Sequence, residues 1–280
     1  MGALDSIANW PAPHTTAVHG HLVNGTLEVL DRVGEPDRVY RIASLSKMIT
    51  SWAILVACEE GTVALDDHPT IDGVPPGATL EHLLAHASGV NFDSTDTVAG
   101  VGRRRVYSNT GIELASAWLA ERSDMEANDY ITDAVVRPLA MDNTDVRGSP
   151  AYGIRSTADD LAVFMAEVLH PHLVSPATAA DARRTHFDDL SGIVPGVGRF
   201  VPCPWGLGME IHGDKSPHWM GHVASPMTVG HFGGAGTMAW ADPSTGAIVV
   251  ALTDLPFDQW EGTAVRHWST LSDAVAGAHQ

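Results

Sequence analysis

The chain has 280 residues, 44% of them hydrophobic, and a formal net charge of -18. That length can bury a large core and suggests one compact body with two subdomains. The acidity argues against nucleic acid and anionic membrane surfaces as partners, because phosphate binding needs clustered Lys and Arg.

Two cysteines, Cys58 and Cys203, make no disulfide framework and no zinc-finger spacing. Residues 1–13 lack the basic start and long apolar run of a signal peptide. No stretch approaches the roughly 20 apolar residues of a membrane span. The expectation is a cytoplasmic, reduced, soluble protein.

Residues 15–22 and 26–33 read as strands around Asn24-Gly25, a hairpin signal. Residues 44–60 read as a helix, with Leu45, Met48, Ile49, Trp52, Leu55 and Val56 at helical spacing and Gly61 as its C-cap. Further helices are predicted over 80–86, 109–122, 126–139 and 156–169. The last opens on Ser156-Thr157 with Asp159 and Asp160 behind, close to a capping box. From Trp205 the period changes to strands over 207–211, 228–232, 236–241 and 247–253, with a turn at 242–246. A final helix is predicted over 260–276. Strands at both ends around a helical middle predict one sheet built from both termini, with 62–199 as a mostly helical subdomain.

Three groups of residues carry chemistry. Ser44 stands three before Lys47, so the two share a helix face. A serine hydroxyl needs a nearby base, and a lysine serves if burial or a neighbouring cation lowers its pKa. Chance is a weaker rival here than usual, because the chain has only two lysines, Lys47 and Lys215. Tyr107-Ser108-Asn109 precedes a predicted helix. Tyr107 can take a serine proton if cations hold its pKa down, and Asn109 can orient Lys47 or donate to a substrate carbonyl. Read alone, the tripeptide is a surface tyrosine followed by an N-cap. His231-Phe232-Gly233-Gly234-Ala235-Gly236-Thr237 puts glycines in a predicted strand, a mark of close approach. The Gly234 N–H could complete an oxyanion hole with that of Ser44. The spacing fits no phosphate loop.

The order Ser-x-x-Lys, Tyr-x-Asn, His-x-Gly resembles the serine β-lactamase and penicillin-binding-protein superfamily, in its class C branch. His82-Leu-Leu-Ala-His86-Ala-Ser-Gly89, residues 153–161, Trp205-Gly-Leu-Gly-Met209 and Trp240-Ala-Asp-Pro243 are similar to flanking segments of that family. The resemblance spans roughly residues 15–275. It implies an α+β fold, an antiparallel sheet flanked by helices beside an all-helical subdomain. It implies Ser44 as nucleophile, Lys47 as proton acceptor or relay, and Tyr107 as general base in acylation and acid towards the leaving group. Asn109 positions Lys47 and substrate, while His231 and Gly233 line the strand side of the cleft.

The sequence departs from the lactamase pattern at the third motif. His231-Phe232 stands where Lys-Thr is usual, and neutral imidazole is a poor carboxylate clamp. The resemblance then implies an esterase or D-aminopeptidase acting on a small ester or amide more than a β-lactamase. The alternatives are a true class C-type β-lactamase or DD-peptidase, or a catalytically weak relative that binds a peptidoglycan fragment. Only 59 residues separate Lys47 from Tyr107, which predicts a trimmed helical subdomain and a wide cleft. Arg103-Arg104-Arg105 reads as a solvated charge run rather than a substrate clamp. His82 and His86 read as a structural pair capping Ser88-Gly89, since the zincin pattern fails. No cofactor and no metal are expected. Trp205, Trp219 and His222 fit either cleft or core.

Overall fold

The computed structural model describes residues 2–279. A short 3-10 turn, Asp5–Asn9, precedes the hairpin of β1 (Thr15–Val23) and β2 (Thr26–Val33). Asn24 and Gly25 take φ of 50° and 81°, as a tight hairpin turn requires. Then come β3 (Tyr40–Arg41), a 3-10 turn at Ala43–Leu45, and α1 (Ser46–Glu59). Gly61, at φ 75°, closes α1: Thr62 N–H reaches Ala57 O at 2.9 Å and Gly61 N–H reaches Cys58 O at 3.1 Å. These are the two bonds of a Schellman cap.

The middle is helical: α2 (Leu80–Leu84), α3 (Asn109–Ser123) and α4 (Ala127–Ile131). The helix predicted over 126–139 passes into a π turn at Thr132–Val136 instead of running through. After β4 (Arg155–Ser156) comes α5 (Ala158–Leu169), capped by Thr157, whose side chain accepts from Asp160 N–H. The sequence reading missed α6 (Pro176–Arg183), although Ser175 caps it and Pro176 opens it. It also missed the hairpin of β5 (Gly192–Val194) and β6 (Gly198–Phe200).

The last strands are β7 (Glu210–Ile211), β8 (Val229–Gly233), β9 (Thr237–Ala241) and β10 (Ala247–Thr253), followed by α7 (Ala264–Gly277). The strand predicted from 207 starts only at Glu210. Gly208 holds φ 77° and passes so close to α1 that a Cβ there would meet Ser51 Oγ at 2.0 Å. That backbone turns around α1 instead of joining the sheet. α7 starts four residues later than predicted, because Gly262 at φ 74° breaks the segment after Trp260.

One antiparallel sheet holds both termini, in the order β2-β1-β10-β9-β8-β7. β1 pairs with β10 from Thr15↔Thr253 to His21↔Ala247. Its side chains alternate between two cores. Val18, Ile248, Val250 and Leu252 join the core shared with α1, α3 and α5. Ala17, Val249, Ala251 and Trp240 join the second core, where α7 contributes Trp268 and Leu271. α5 lies against β1, β9 and β10, while α1 lies between it and α3 and is buried on nearly every face. Among the described residues no helix is long and apolar enough to cross a membrane.

A buried ionic cluster is centred on Glu210 of β7. Glu210 accepts from Lys215 Nζ at 2.9 Å, from His218 Nε2 at 2.8 Å and from Trp219 Nε1 at 2.8 Å. Burial works against the Glu210 carboxylate, but the charges and hydrogen bonds of Lys215 and His218 outweigh it and hold its pKa well below the usual range.

Candidate active site

Ser44 does not sit in the first helical turn, as predicted, but in the 3-10 turn just before it. Ala43, immediately upstream, takes φ 48°, a left-handed conformation costly for a residue with a Cβ. Gly233 on β8 makes room for that turn. A Cβ on Gly233 would meet Thr237 Oγ1 at 2.4 Å, Ile42 O at 2.6 Å and Ala43 Cβ at 3.0 Å. Thr237 Oγ1 also donates to Ile42 O at 3.0 Å. The glycine signal in the third motif is therefore close backbone approach, between the strand and the turn that carries Ser44. At Gly234 a Cβ would meet nothing within 4 Å, so this residue faces open cleft.

Lys47, on the first turn of α1, is fully buried. Its Nζ lies 3.1 Å from Ser44 Oγ, 2.6 Å from Asn109 Oδ1 and 3.0 Å from the carbonyl of Ala151. Burial pulls its pKa from 10.5 down to about 7, with Glu113 and Asp93 working in the opposite direction. Asn109 is fixed in turn: its Nδ2 donates to Asp93 Oδ1 at 2.8 Å.

Tyr107 precedes the N-cap of α3, where Ser108 Oγ accepts from Gly111 N–H at 2.8 Å. That cap ties the start of α3 and aims the segment at the cleft. The Tyr107 hydroxyl hydrogen-bonds Ser44, and its ring lies 4.9 Å from Lys47 Nζ. Burial raises the Tyr107 pKa far above the ordinary phenol range, which outweighs the lowering by Ser44. The expectation of a tyrosinate is thereby corrected: at neutral pH Tyr107 is a protonated hydroxyl. His86, Trp205 and His231 surround its ring at centroid distances of 4.8, 5.8 and 5.6 Å.

His231 is buried, and burial lowers its pKa to about 3, so it is neutral. Its Nδ1 lies 2.6 Å from Phe232 O, which can only accept. The proton therefore sits on Nδ1, and Nε2 presents a lone pair with no partner among the described residues. His86 is likewise held neutral by burial, and its Nδ1 accepts from Ser108 N–H at 3.3 Å.

Two cavities meet at Ser44. The first, about 540 Å³, is lined by Arg38, Arg41, Asn109, Arg155 and Asp254 among others. The second, about 300 Å³, is mostly apolar and is lined by Phe92, Val194, Trp205, Phe232 and Phe257 with Tyr107 and His231. Phe92 borders both and stacks on Tyr107 at 5.8 Å.

Ser44, Lys47, Tyr107, Asn109, His231, Gly233 and Gly234 all lie around this junction. Trp205 lines the apolar cavity, Trp219 is core, and His222 is exposed. The solvated run Arg103-Arg104-Arg105 is corrected at its last member. Arg105 is buried and its guanidinium donates to the carbonyls of Ala85, Cys203, His186 and Phe187. His82 also differs: it closes a capping box with Thr79 rather than capping Ser88-Gly89. Among the described residues no group of three or more His, Cys, Asp or Glu is placed to hold a metal ion. Sequence reasoning missed Asp93, Phe92 and Arg41, which lie outside its motifs, and gave no role to Arg155 within the flanking segment 153–161.

The family model described as Beta-lactamase matches residues 28–268. The chain is 25% identical over 224 residues to the D-alanyl-D-alanine-carboxypeptidase/endopeptidase AmpH of Escherichia coli K12, covering 59% of this chain and 58% of AmpH. It is 28% identical over 137 residues to penicillin-binding protein 4* of Bacillus subtilis, covering 39% of this chain and 30% of that protein. The matches thus span less than two thirds of these relatives' lengths. The structure of a beta-lactamase from Mycobacterium bovis superposes with a TM-score of 0.92 at 39% identity, covering 99% of each chain. EstCE1, a hydrolase with promiscuous acyltransferase activity, shares the fold at TM-score 0.77 and 16% identity, over 97% of this chain and 96% of that one. With its family model matched over most of its length, the chain belongs to the Beta-lactamase family of serine hydrolases.

Proposed function

We propose that the protein hydrolyses a small ester or amide through an acyl-Ser44 intermediate. The observation that carries this reading is the bonding of Lys47. Two of its N–H groups are taken by Asn109 Oδ1 and the Ala151 carbonyl, and its remaining position faces Ser44 Oγ. When Lys47 is a neutral amine, that position is a lone pair. Ser44 O–H then donates to Nζ, and the lysine is the base that takes the proton as Ser44 attacks.

The protonated Tyr107 hydroxyl passes a proton between Lys47, Ser44 and the leaving group, as general acid rather than as a standing phenolate. The backbone N–H groups of Ser44 and Gly234 receive the oxyanion, and the open space at Gly234 supports this. Asn109 positions Lys47. Gly233 lets the β8 backbone stand against the nucleophile turn. Water enters the cleft to release the acyl group, with Lys47 and Tyr107 reversing their roles.

The neutral, buried His231 supports an esterase or D-aminopeptidase over a β-lactamase. It puts no positive charge where the lactamase pattern has lysine. The unpaired Cys58 and Cys203 are compatible with a cytoplasmic placement.

The test uses p-nitrophenyl butyrate with the wild type and Ser44→Ala. The expected result is loss of turnover in the variant, and covalent labelling of the wild type alone by a fluorophosphonate probe. Equal rates in the two proteins would refute the proposal. D-amino-acid amides separate the aminopeptidase from the esterase, and nitrocefin turnover far below that of the ester is expected.

A further inference from the structure

The larger cavity beside Ser44 carries charge that the fold does not use. Its charged lining residues are Arg38, Arg41, Arg155 and Asp254. Arg38 is satisfied by Glu35 and Asp254. Arg41 and Arg155 have no ion-pair or hydrogen-bond partner for their side chains among the described residues. Both are exposed at the cavity wall. They are direct cross-strand partners on β3 and β4. Like charges placed opposite one another in a sheet destabilise it. Arg155 also bridges through its backbone to Asp145, whose carboxylate is taken by Arg147.

This placement is costly for a chain with 34 acidic and only 16 basic residues, which has carboxylates enough to neutralise both arginines. Arg41 lies three residues before Ser44, so the charge sits within a short substrate's length of the nucleophile. On the other side of Ser44 the cavity lined by Phe92, Trp205, Phe232 and Phe257 is apolar. Arg105 cannot supply the charge, since its N–H groups are committed to backbone carbonyls.

We infer that Arg41 and Arg155 form an anion-binding subsite, and that the substrate carries a carboxylate or phosphate on one side of its scissile carbonyl and an apolar group on the other. The inference rests on the acyl-Ser44 reading and specifies the substrate class for it. A planar guanidinium pair suits either oxyanion, because each presents N–H groups in a fork.

The experiment compares three anionic esters with their uncharged methyl esters. Mono-(4-nitrophenyl) glutarate puts a carboxylate on the acyl half, 4-butyryloxybenzoate puts it on the leaving half, and 4-butyryloxyphenyl phosphate replaces it by phosphate. In about 20 mM salt, where exposed charges are little screened, at least one anion should exceed its neutral ester in kcat/KM by about tenfold. That ratio should fall towards one in Arg41→Gln/Arg155→Gln. It should largely persist in Arg41→Lys/Arg155→Lys, which keeps the charge and loses only the fork, and it should shrink in about 0.5 M salt. The anion that responds identifies the group and the half that bears it. Ratios near one for all three in the wild type, or a ratio unchanged in the glutamine variant, would overturn the inference while neutral-ester turnover that needs Ser44 leaves the hydrolase reading standing. No turnover of any ester, or turnover equal in Ser44→Ala, would overturn that reading and this inference with it.

Discussion

Lys47→Met removes the proposed base and a buried cation together, so its two effects have opposite signs. An ordinary lysine of pKa 10.5 is a free amine in about one molecule in three thousand at pH 7. With its pKa near 7, Lys47 is a free amine in about half. Wild-type kcat/KM for p-nitrophenyl butyrate should therefore rise about tenfold per pH unit below 7 and level off above 8. Lys47→Met should lose at least about 10³-fold at the plateau, and Lys47→Arg, which stays charged, should fare no better. Stability moves the other way. The folded pKa of Lys47 lies below the unfolded one, so the unfolded state binds more protons between about pH 7 and 10.5 and stability rises with pH across that window. The difference between 10.5 and about 7 amounts to about 5 kcal/mol against the charged form. Losing the bonds to Asn109 Oδ1 and the Ala151 carbonyl returns about 1–3 kcal/mol of cost. Lys47→Met should thus gain about 2 kcal/mol at pH 7, measured by urea unfolding, and the gain should be gone by about pH 9 and reversed by about pH 10. A flat pH profile between 6 and 9, or a variant less stable than the wild type at pH 7, would refute this account of Lys47.

Asp93→Asn removes a carboxylate that raises the Lys47 pKa, so the acid limb of the pH–rate profile should shift to lower pH by up to about one unit; an unmoved limb would deny the coupling. Gly233→Ala should cost about 1–3 kcal/mol and most activity, because its Cβ meets Thr237, Ile42 and Ala43, whereas Gly234→Ala should unfold at the wild-type urea concentration. Equal unfolding midpoints for the two would contradict the packing argument. Glu210→Gln leaves Lys215 buried beside a neutral partner and should lower stability by about 3–5 kcal/mol at pH 7. Glu113 and Asp93, not Glu210, are the carboxylates that act on Lys47, so the residual folded protein should keep its pH–rate inflection; a shifted inflection would tie Glu210 to the chemistry instead.

The order of most elements and the candidate site residues were legible in the chain. The Asn24-Gly25 hairpin, the β10 strand over 247–253 and the Gly61 cap each depend on a few neighbouring residues, and the structure has all three. The three motifs likewise read as motifs because each is local. What failed was set by distant neighbours. Residues 207–209 look like strand but must bend around Ser51, and Arg105 looks solvated but meets four carbonyls from three separate segments. The role of Tyr107 also turned on its surroundings, since burial among His86, Trp205 and His231 raises its pKa and favours the protonated hydroxyl.

The sequence by itself determined which side chains were available: a serine, a scarce lysine, a tyrosine and an imidazole where a cation is usual. Only the tertiary structure decided their protonation, because pKa depends on the solvent and charges that packing brings or removes. It also decided that Arg41 and Arg155, two residues to which no motif gave a role and 114 positions apart, face one cavity with Ser44. Strand pairing makes that juxtaposition, and a local pattern carries no trace of it.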